Sequence, residues 1–133
     1  MKTLIAVIAC AGVLASSAVS RAAQISSSTI FADVQQQRAE CVVLNAGTTA
    51  LPVTLAIVDQ AGAAKVTSTC GGPLAAGDFC DLVMPIPFLG PFACVATSPG
   101  STVNLRGALV LENEVLDSFG LLQFKAVRSA PLR

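Results

Sequence analysis

Apolar and polar residues alternate along three stretches of the chain. Leu51, Val53, Leu55 and Ile57 share one parity, with Pro52, Thr54, Ala56 and Val58 on the other. Val103, Leu105, Leu109 and Leu111 alternate with Asn104, Arg106, Ala108, Val110 and Glu112. Leu122, Phe124 and Ala126 alternate with Gln123, Lys125, Val127 and Arg128. A period of two sends successive side chains to opposite faces of an extended chain, so each stretch predicts a half-buried strand, apolar side inward. Further strands are expected over 27–34, 40–45, 64–68, 79–84 and 92–97.

Between them lie clusters that end strands for local reasons: Asn45-Ala-Gly47-Thr-Thr, Asp59-Gln-Ala-Gly62, Gly71-Gly-Pro73, Ala76-Gly77-Asp78, Ser98-Pro-Gly100 and Glu112-Asn113-Glu114. Gly and Asn tolerate positive φ and Pro fixes it. Short strands spaced by roughly 8–12 residues, seven or eight of them, predict an all-β, antiparallel sandwich or barrel.

The N-terminus departs from this pattern. A short positive segment, Met1-Lys2-Thr3, precedes an apolar run from Leu4 to Leu14 and then small residues from Ala15 to Ser20. That order predicts a secretory signal peptide over 1–20 and a single domain over 21–133. Cleavage is expected before Arg21, with Ala23 as the second choice. The apolar run is shorter than the roughly 20 residues a membrane-crossing helix needs, so no transmembrane span is expected in the mature chain. Val7-Ile8-Ala9-Cys10 resembles a lipoprotein box, but too few apolar residues precede Cys10, which is read as part of the signal core.

Four cysteines then remain: Cys41, Cys70, Cys80 and Cys94. In an oxidising compartment an even set reads as disulfides, and four allow three pairings. The nine residues between Cys70 and Cys80 suit a bridge across one local loop. Cys41 and Cys94 would then join two distant apolar segments. A four-thiolate metal site lacks the close Cys pairs it would need.

Composition removes several chemistries. The chain has no His, Trp or Tyr, so a serine or cysteine nucleophile has no imidazole to activate it, and no histidine can hold a metal or haem. Eight basic and eight acidic residues cancel, which argues against a nucleic-acid partner. Loss of Lys2 with the signal leaves a charge of −1 (7 against 8), too small to steer acidic or membrane partners. Of the carboxylates Asp33, Glu40, Asp59, Asp78, Asp81, Glu112, Glu114 and Asp117, five (Asp59, Asp78, Glu112, Glu114 and Asp117) lie at or near turns and are read as solvated, and Asp78 with Asp81 would need several more oxygens to hold calcium. Cys70-Gly-Gly-Pro73 lacks the lysine and helix of a phosphate loop. Catalytic residues, a metal and a cofactor are therefore not expected.

The run Cys41-Val-Val-Leu-Asn45-Ala-Gly47, then Leu51-Pro-Val-Thr-Leu-Ala-Ile-Val-Asp59, then Cys70-Gly-Gly-Pro-Leu74-Ala-Ala-Gly77-Asp-Phe-Cys80 resembles small exported bacterial four-Cys proteins of unknown function. It is also similar to immunoglobulin-like modules of the ASPM/SPD-2/Hydin type. The likeness spans roughly residues 41–110. It implies an immunoglobulin-like sandwich and carries no catalytic set to transfer. After Leu82 the chain departs from that pattern, through Val-Met-Pro-Ile-Pro-Phe-Leu-Gly-Pro-Phe92.

That departure is the one surface candidate. Three prolines oppose regular pairing, and Ile86, Phe88 and Leu89 are apolar. Exposed, they form a patch for a protein or surface partner; folded over, they plug one end of the sandwich. The functional expectation is a non-catalytic exported structural or recognition module, periplasmic or extracellular. The alternatives are a subunit of a surface fibre, with Gln24–Val34 as a donated strand, or a small inhibitor or enzyme acting from loops.

Overall fold

The computed structural model of the protein describes residues 22–34, 36–86 and 89–133. The expected signal segment, with Cys10, lies outside them, as do Pro87 and Phe88. Eleven strands follow one another: β1 (Ala23–Ser26), β2 (Ile30–Ala32), β3 (Arg38–Asn45), β4 (Leu51–Pro52), β5 (Thr54–Asp59), β6 (Ala64–Ser68), β7 (Pro73–Leu74), β8 (Phe79–Pro85), β9 (Gly90–Ser98), β10 (Leu105–Leu116) and β11 (Leu122–Pro131). They build an antiparallel β-sandwich. One sheet has the order β1-β9-β5-β6, with β2 also paired to β9; the other is β11-β10-β3-β8. A third pair, β4 with β7, stands apart. No helix among the described residues is long and apolar enough to cross a membrane.

The strand count among the described residues exceeds the expected seven or eight because one predicted strand is interrupted and two short strands, β1 and β7, form where none was expected. The alternation from Leu51 to Val58 is broken at Val53, where the chain leaves its pairing with β7 and joins β9 as β5. The strand expected over 27–34 shortens to β2, and Ser27 instead forms an isolated bridge to Leu132, just past β11. There the Ser27 hydroxyl accepts the Cys94 amide at 2.9 Å, while the Ser27 amide donates to the Cys94 carbonyl.

Alternation places the core as predicted in the central strands. Cys41, Val43, Leu109 and Leu111 from one sheet meet Leu55, Ile57, Phe92, Cys94 and Ala96 from the other, all at 0% exposure. Burying side chains of this size contributes about 1.5–3 kcal/mol each for the larger ones. Val103 is instead exposed, because it precedes β10 in a loop.

Three fastenings hold the sheets face to face. Cys41–Cys94 joins β3 to β9 through the centre of the core, across 53 residues of chain. Cys70–Cys80 closes the edge where β6 and β8 face each other, across 10 residues. The chain-entropy model assigns about 4 and about 3 kcal/mol to loops of these sizes. At the opposite edge Ser26 and Arg133 exchange both main-chain hydrogen bonds, at 3.2 and 3.0 Å. Two disulfides in a small domain are what folding in an oxidising compartment leaves behind.

The fully buried Asn45 organises the far end. Its amide nitrogen donates to the carbonyls of Thr49 and Leu74, and its Oδ1 accepts the Gly47 amide at 3.0 Å. Gly107 is required by close approach: a Cβ there would lie 2.1 Å from the Val42 carbonyl oxygen on β3.

Candidate functional site

The two sheets end differently at the pole where β9 begins. In the first sheet, β5 is paired on both sides to its end, with Asp59 opposite Phe92 of β9 and Val58 opposite Ala64 of β6. In the second, β3 stops at Arg38 opposite Glu112, but β10 and β11 run on to pair Leu116 with Leu122. Those four extra residues carry the hairpin about 14 Å past the end of β3.

The Glu112-Asn113-Glu114 cluster, predicted as a turn, is therefore continuous strand. The reversal comes later, at Asp117-Ser-Phe-Gly120-Leu121. There Gly120 supplies the positive φ of 75°, and Asp117 Oδ1 accepts the amides of Phe119 and Leu121. None of residues 112–114 offers that combination of a side-chain acceptor followed by glycine. A carboxylate capping two amides, with glycine at the left-handed position, is a complete local reason for the chain to reverse.

Nothing among the described residues lies across the overhanging part. The register of β11 against β10 shifts between Leu111 and Glu112, which turns the expected inward apolar side of the last strand, Leu122 and Phe124, to the outer face; both are exposed, as is every β11 residue from Leu122 to Ser129. The tip is more exposed still, with Phe119 at 87%, Leu116 at 69% and Leu121 at 64%. A solvent-facing cluster of this make-up is unusual on a small domain.

Its root is held firmly. Arg38 ion-pairs with Glu112 and with Glu40 at 3.2 Å, and its guanidinium lies 4.1 Å over the Phe124 ring. Gln37 donates its amide to the Glu112 carbonyl, and its side-chain oxygen accepts the Glu114 amide at 2.7 Å. Arg128 reaches the Phe31 carbonyl at 2.9 Å and Asp33 at 3.3 Å. Burial raises the Glu40 carboxyl above its ordinary range, reinforced by the neighbouring charge of Glu112 and opposed by Arg38. The structure thus brings together one carboxylate pair, Glu40 and Glu112, and sets Arg38 between their charges on an open sheet face.

The remaining carboxylates are dispersed. Asp59 and Asp117 cap turns, and Asp33 meets Arg128. Among the described residues no three His, Cys, Asp or Glu side chains are grouped as metal ligands. A shallow depression at the other pole is lined by Pro52, Thr54, Thr69, Pro73, Thr97 and Ser98, which offer hydroxyls but no titratable group.

The binding residues expected from sequence are spread over different environments. Ile86 is half-buried against the core, and its amide donates to the Gln37 carbonyl at 2.9 Å. Leu89 is 55% exposed, and Phe88 lies outside the described residues. The hairpin tip was not singled out by alternation, which assigns an apolar face but not what covers it. The available signal was the second Asp-x-x-Gly, at 117–120, which repeats the spacing of Asp59 to Gly62. No protein-family model, curated protein or solved structure matches this chain.

Proposed function

We propose that this chain is an exported recognition module that works by surface contact, with the overhanging β10–β11 hairpin as its contact element. The observation that carries this reading is the exposed cluster of Leu116, Phe119, Leu121, Leu122 and Phe124 on a rooted hairpin beyond the sandwich. Exposed apolar side chains favour any partner that removes them from water, by about 25 cal/mol per Å². The N-terminal charge-apolar-small pattern and the two disulfides support export to the periplasm or the cell exterior. An inter-sheet bridge through the centre of an antiparallel sandwich supports the immunoglobulin-like reading of the fold.

The test is site-specific photo-crosslinking in producing cells. A photoreactive residue at Phe119 should give a discrete adduct of higher mass. The same residue at Thr54, exposed on the outer face of the other sheet, should not. Equal crosslinking at the two positions, or none at Phe119, overturns the reading.

A further inference from the structure

We infer that the partner of the hairpin is a second copy of this chain, joined antiparallel along the free edge of β11 about a two-fold axis through Gln123. This rests on the hairpin being the contact element. Main-chain geometry limits what fits there. β11 pairs with β10 on one side, and among the described residues no main-chain group pairs with its other side between Leu122 and Val127. A row of unpaired amides and carbonyls is completed by another strand. The segment lacks the proline or bulky crossing element that would block such pairing; its one charge is Lys125.

Charge selects both the partner and the register. Among the described residues neither Asp117 nor Lys125 has an ion pair within its own chain. Asp117 and Lys125 share one face of the hairpin. The link is Gln123, whose side-chain nitrogen donates to Asp117 Oδ2 at 3.0 Å and which stands two residues from Lys125 on the same side of the pleat. With Gln123 on the axis, residue pairs across the joint sum to a constant. Lys125 then stands opposite the partner copy's Leu121, beside the partner copy's Asp117, and the relation repeats by symmetry. On the other face Phe124 stands opposite Leu122 of the partner copy, next to Leu116. One register therefore satisfies two ion pairs, two aromatic–aliphatic pairs and the open ladder. An isologous two-fold contact requires this kind of self-complementary patch.

Analytical ultracentrifugation of the purified protein over a dilution series tests the inference. A concentration-dependent dimer is expected. Lys125→Glu sets like charges together at both symmetric contacts and should weaken it about tenfold. Asp117→Asn keeps the turn-capping oxygen but removes the charge, and should weaken it in the same direction. Gln123→Cys should form a symmetric interchain disulfide under mild oxidation far faster than Lys125→Cys, whose two copies are offset along the strands. A monomer at every concentration overturns the inference. So does a dimer indifferent to Lys125→Glu, or equal crosslinking at 123 and 125. If the protein is monomeric while Phe119 still crosslinks to another polypeptide in cells, the contact hairpin stands and the second copy does not.

Discussion

Two hairpins in this molecule are closed by the same five-residue device. In Asp59-Gln-Ala-Gly-Ala63 and in Asp117-Ser-Phe-Gly-Leu121, the carboxylate Oδ1 accepts the amides two and four residues on. The aspartate amide donates to the carbonyl four residues on, and the glycine sits at φ 77° or 75°. Even the sixth residue after each aspartate plays one part, since Lys65 and Gln123 both reach back to Oδ2. The decoration differs. Where the first turn has Ala61, Ala63 and Ala64, the second has Phe119, Leu121 and Leu122, and where the first neutralises its aspartate with a lysine, the second uses a neutral amide. The hydrogen bonding of the two turns is thus the same, although β5–β6 carries a register shift just beyond its turn that β10–β11 lacks there; the larger difference lies in what each turn offers to solvent. The first turn is internally satisfied in charge and has little to bury. The second leaves both an uncompensated carboxylate and a group of large apolar side chains facing outward.

The comparison breaks most sharply two residues before each aspartate. Ile57 is fully buried between the sheets, whereas Val115 is 39% exposed on the overhang. Ile57→Ala should cost about 3–4 kcal/mol, through lost transfer energy and the cavity left in a close-packed core. Val115→Ala should cost less than about 1 kcal/mol, because water already reaches the site and no closed void forms. Urea unfolding of the two variants at matched conditions measures both. Similar losses would mean that the overhang is packed from beneath and is no overhang.

The shared frame predicts a smaller effect. Asp117→Ala removes an acceptor from two amides that remain able to bond water and should cost about 1 kcal/mol. Asp59→Ala removes the same two bonds and the Lys65 ion pair besides, so its loss should be the larger of the two. Near-equal midpoint shifts once Lys65→Gln is present in both proteins would show that the turns are one device.

How much of this could be read from sequence follows from the same pair. Alternation located the central strands because Leu55, Ile57, Leu109 and Leu111 each face an opposing sheet, and the period of two reports that burial directly. The cysteine spacing located the edge bridge because Cys70 and Cys80 are local. It failed at the end of β10, where Glu112-Asn113-Glu114 resembles a turn by composition. Glu112 is held in the strand by Arg38, seventy-four residues away in sequence, and no local rule contains that contact. The apolar side of β11 was legible, but not the face of the sheet it takes, because the register shift between Leu111 and Glu112 turns Leu122, Phe124 and Ala126 outward and no local pattern contains that shift. Ile86 and Leu89 show the same limit: apolar residues three positions apart in one loop, one packed on the core and the other facing solvent.

A titration sharpens the contrast in charge. The Lys65 ammonium, 2.7 Å from Asp59 Oδ2, holds that carboxyl below its ordinary value, helped by the amide of Ala63. A carboxylate depressed in the folded state contributes stability that is complete above its unfolded value, near 3.8, and is lost as pH falls through the lower folded value. Lys65→Gln rebuilds the second turn's arrangement in the first. The Asp59 carboxyl should then move up toward its ordinary value, and the loss of stability in acid attributable to it should shrink. Side-chain carboxyl shifts followed by NMR across the acid range read this directly; an unmoved Asp59 would mean that the backbone amides alone set it.

The smallest effect on stability is expected where the largest effect on association lies. Phe119→Ala with Leu121→Ala copies the alanines of the first turn onto the second. Phe119 is 87% exposed and Leu121 64%, so little burial is lost on truncation, while Asp117 and Gly120 keep the reversal intact. The unfolding midpoint should shift by no more than about 0.5 kcal/mol, the range of surface substitutions away from special features. Crosslinking from a photoreactive residue at the neighbouring Ser118, in contrast, should collapse, since the apolar area a partner would cover is gone. The first turn supplies the control: Ala61→Phe with Ala63→Leu adds the same side chains to the same backbone, again at little cost to folding. If that variant acquires the contact while the alanine variant loses it, the decoration of the turn suffices. If the contact stays with β10–β11 whatever the tip carries, recognition resides in the overhanging strand edge and its charges rather than in Phe119 and Leu121.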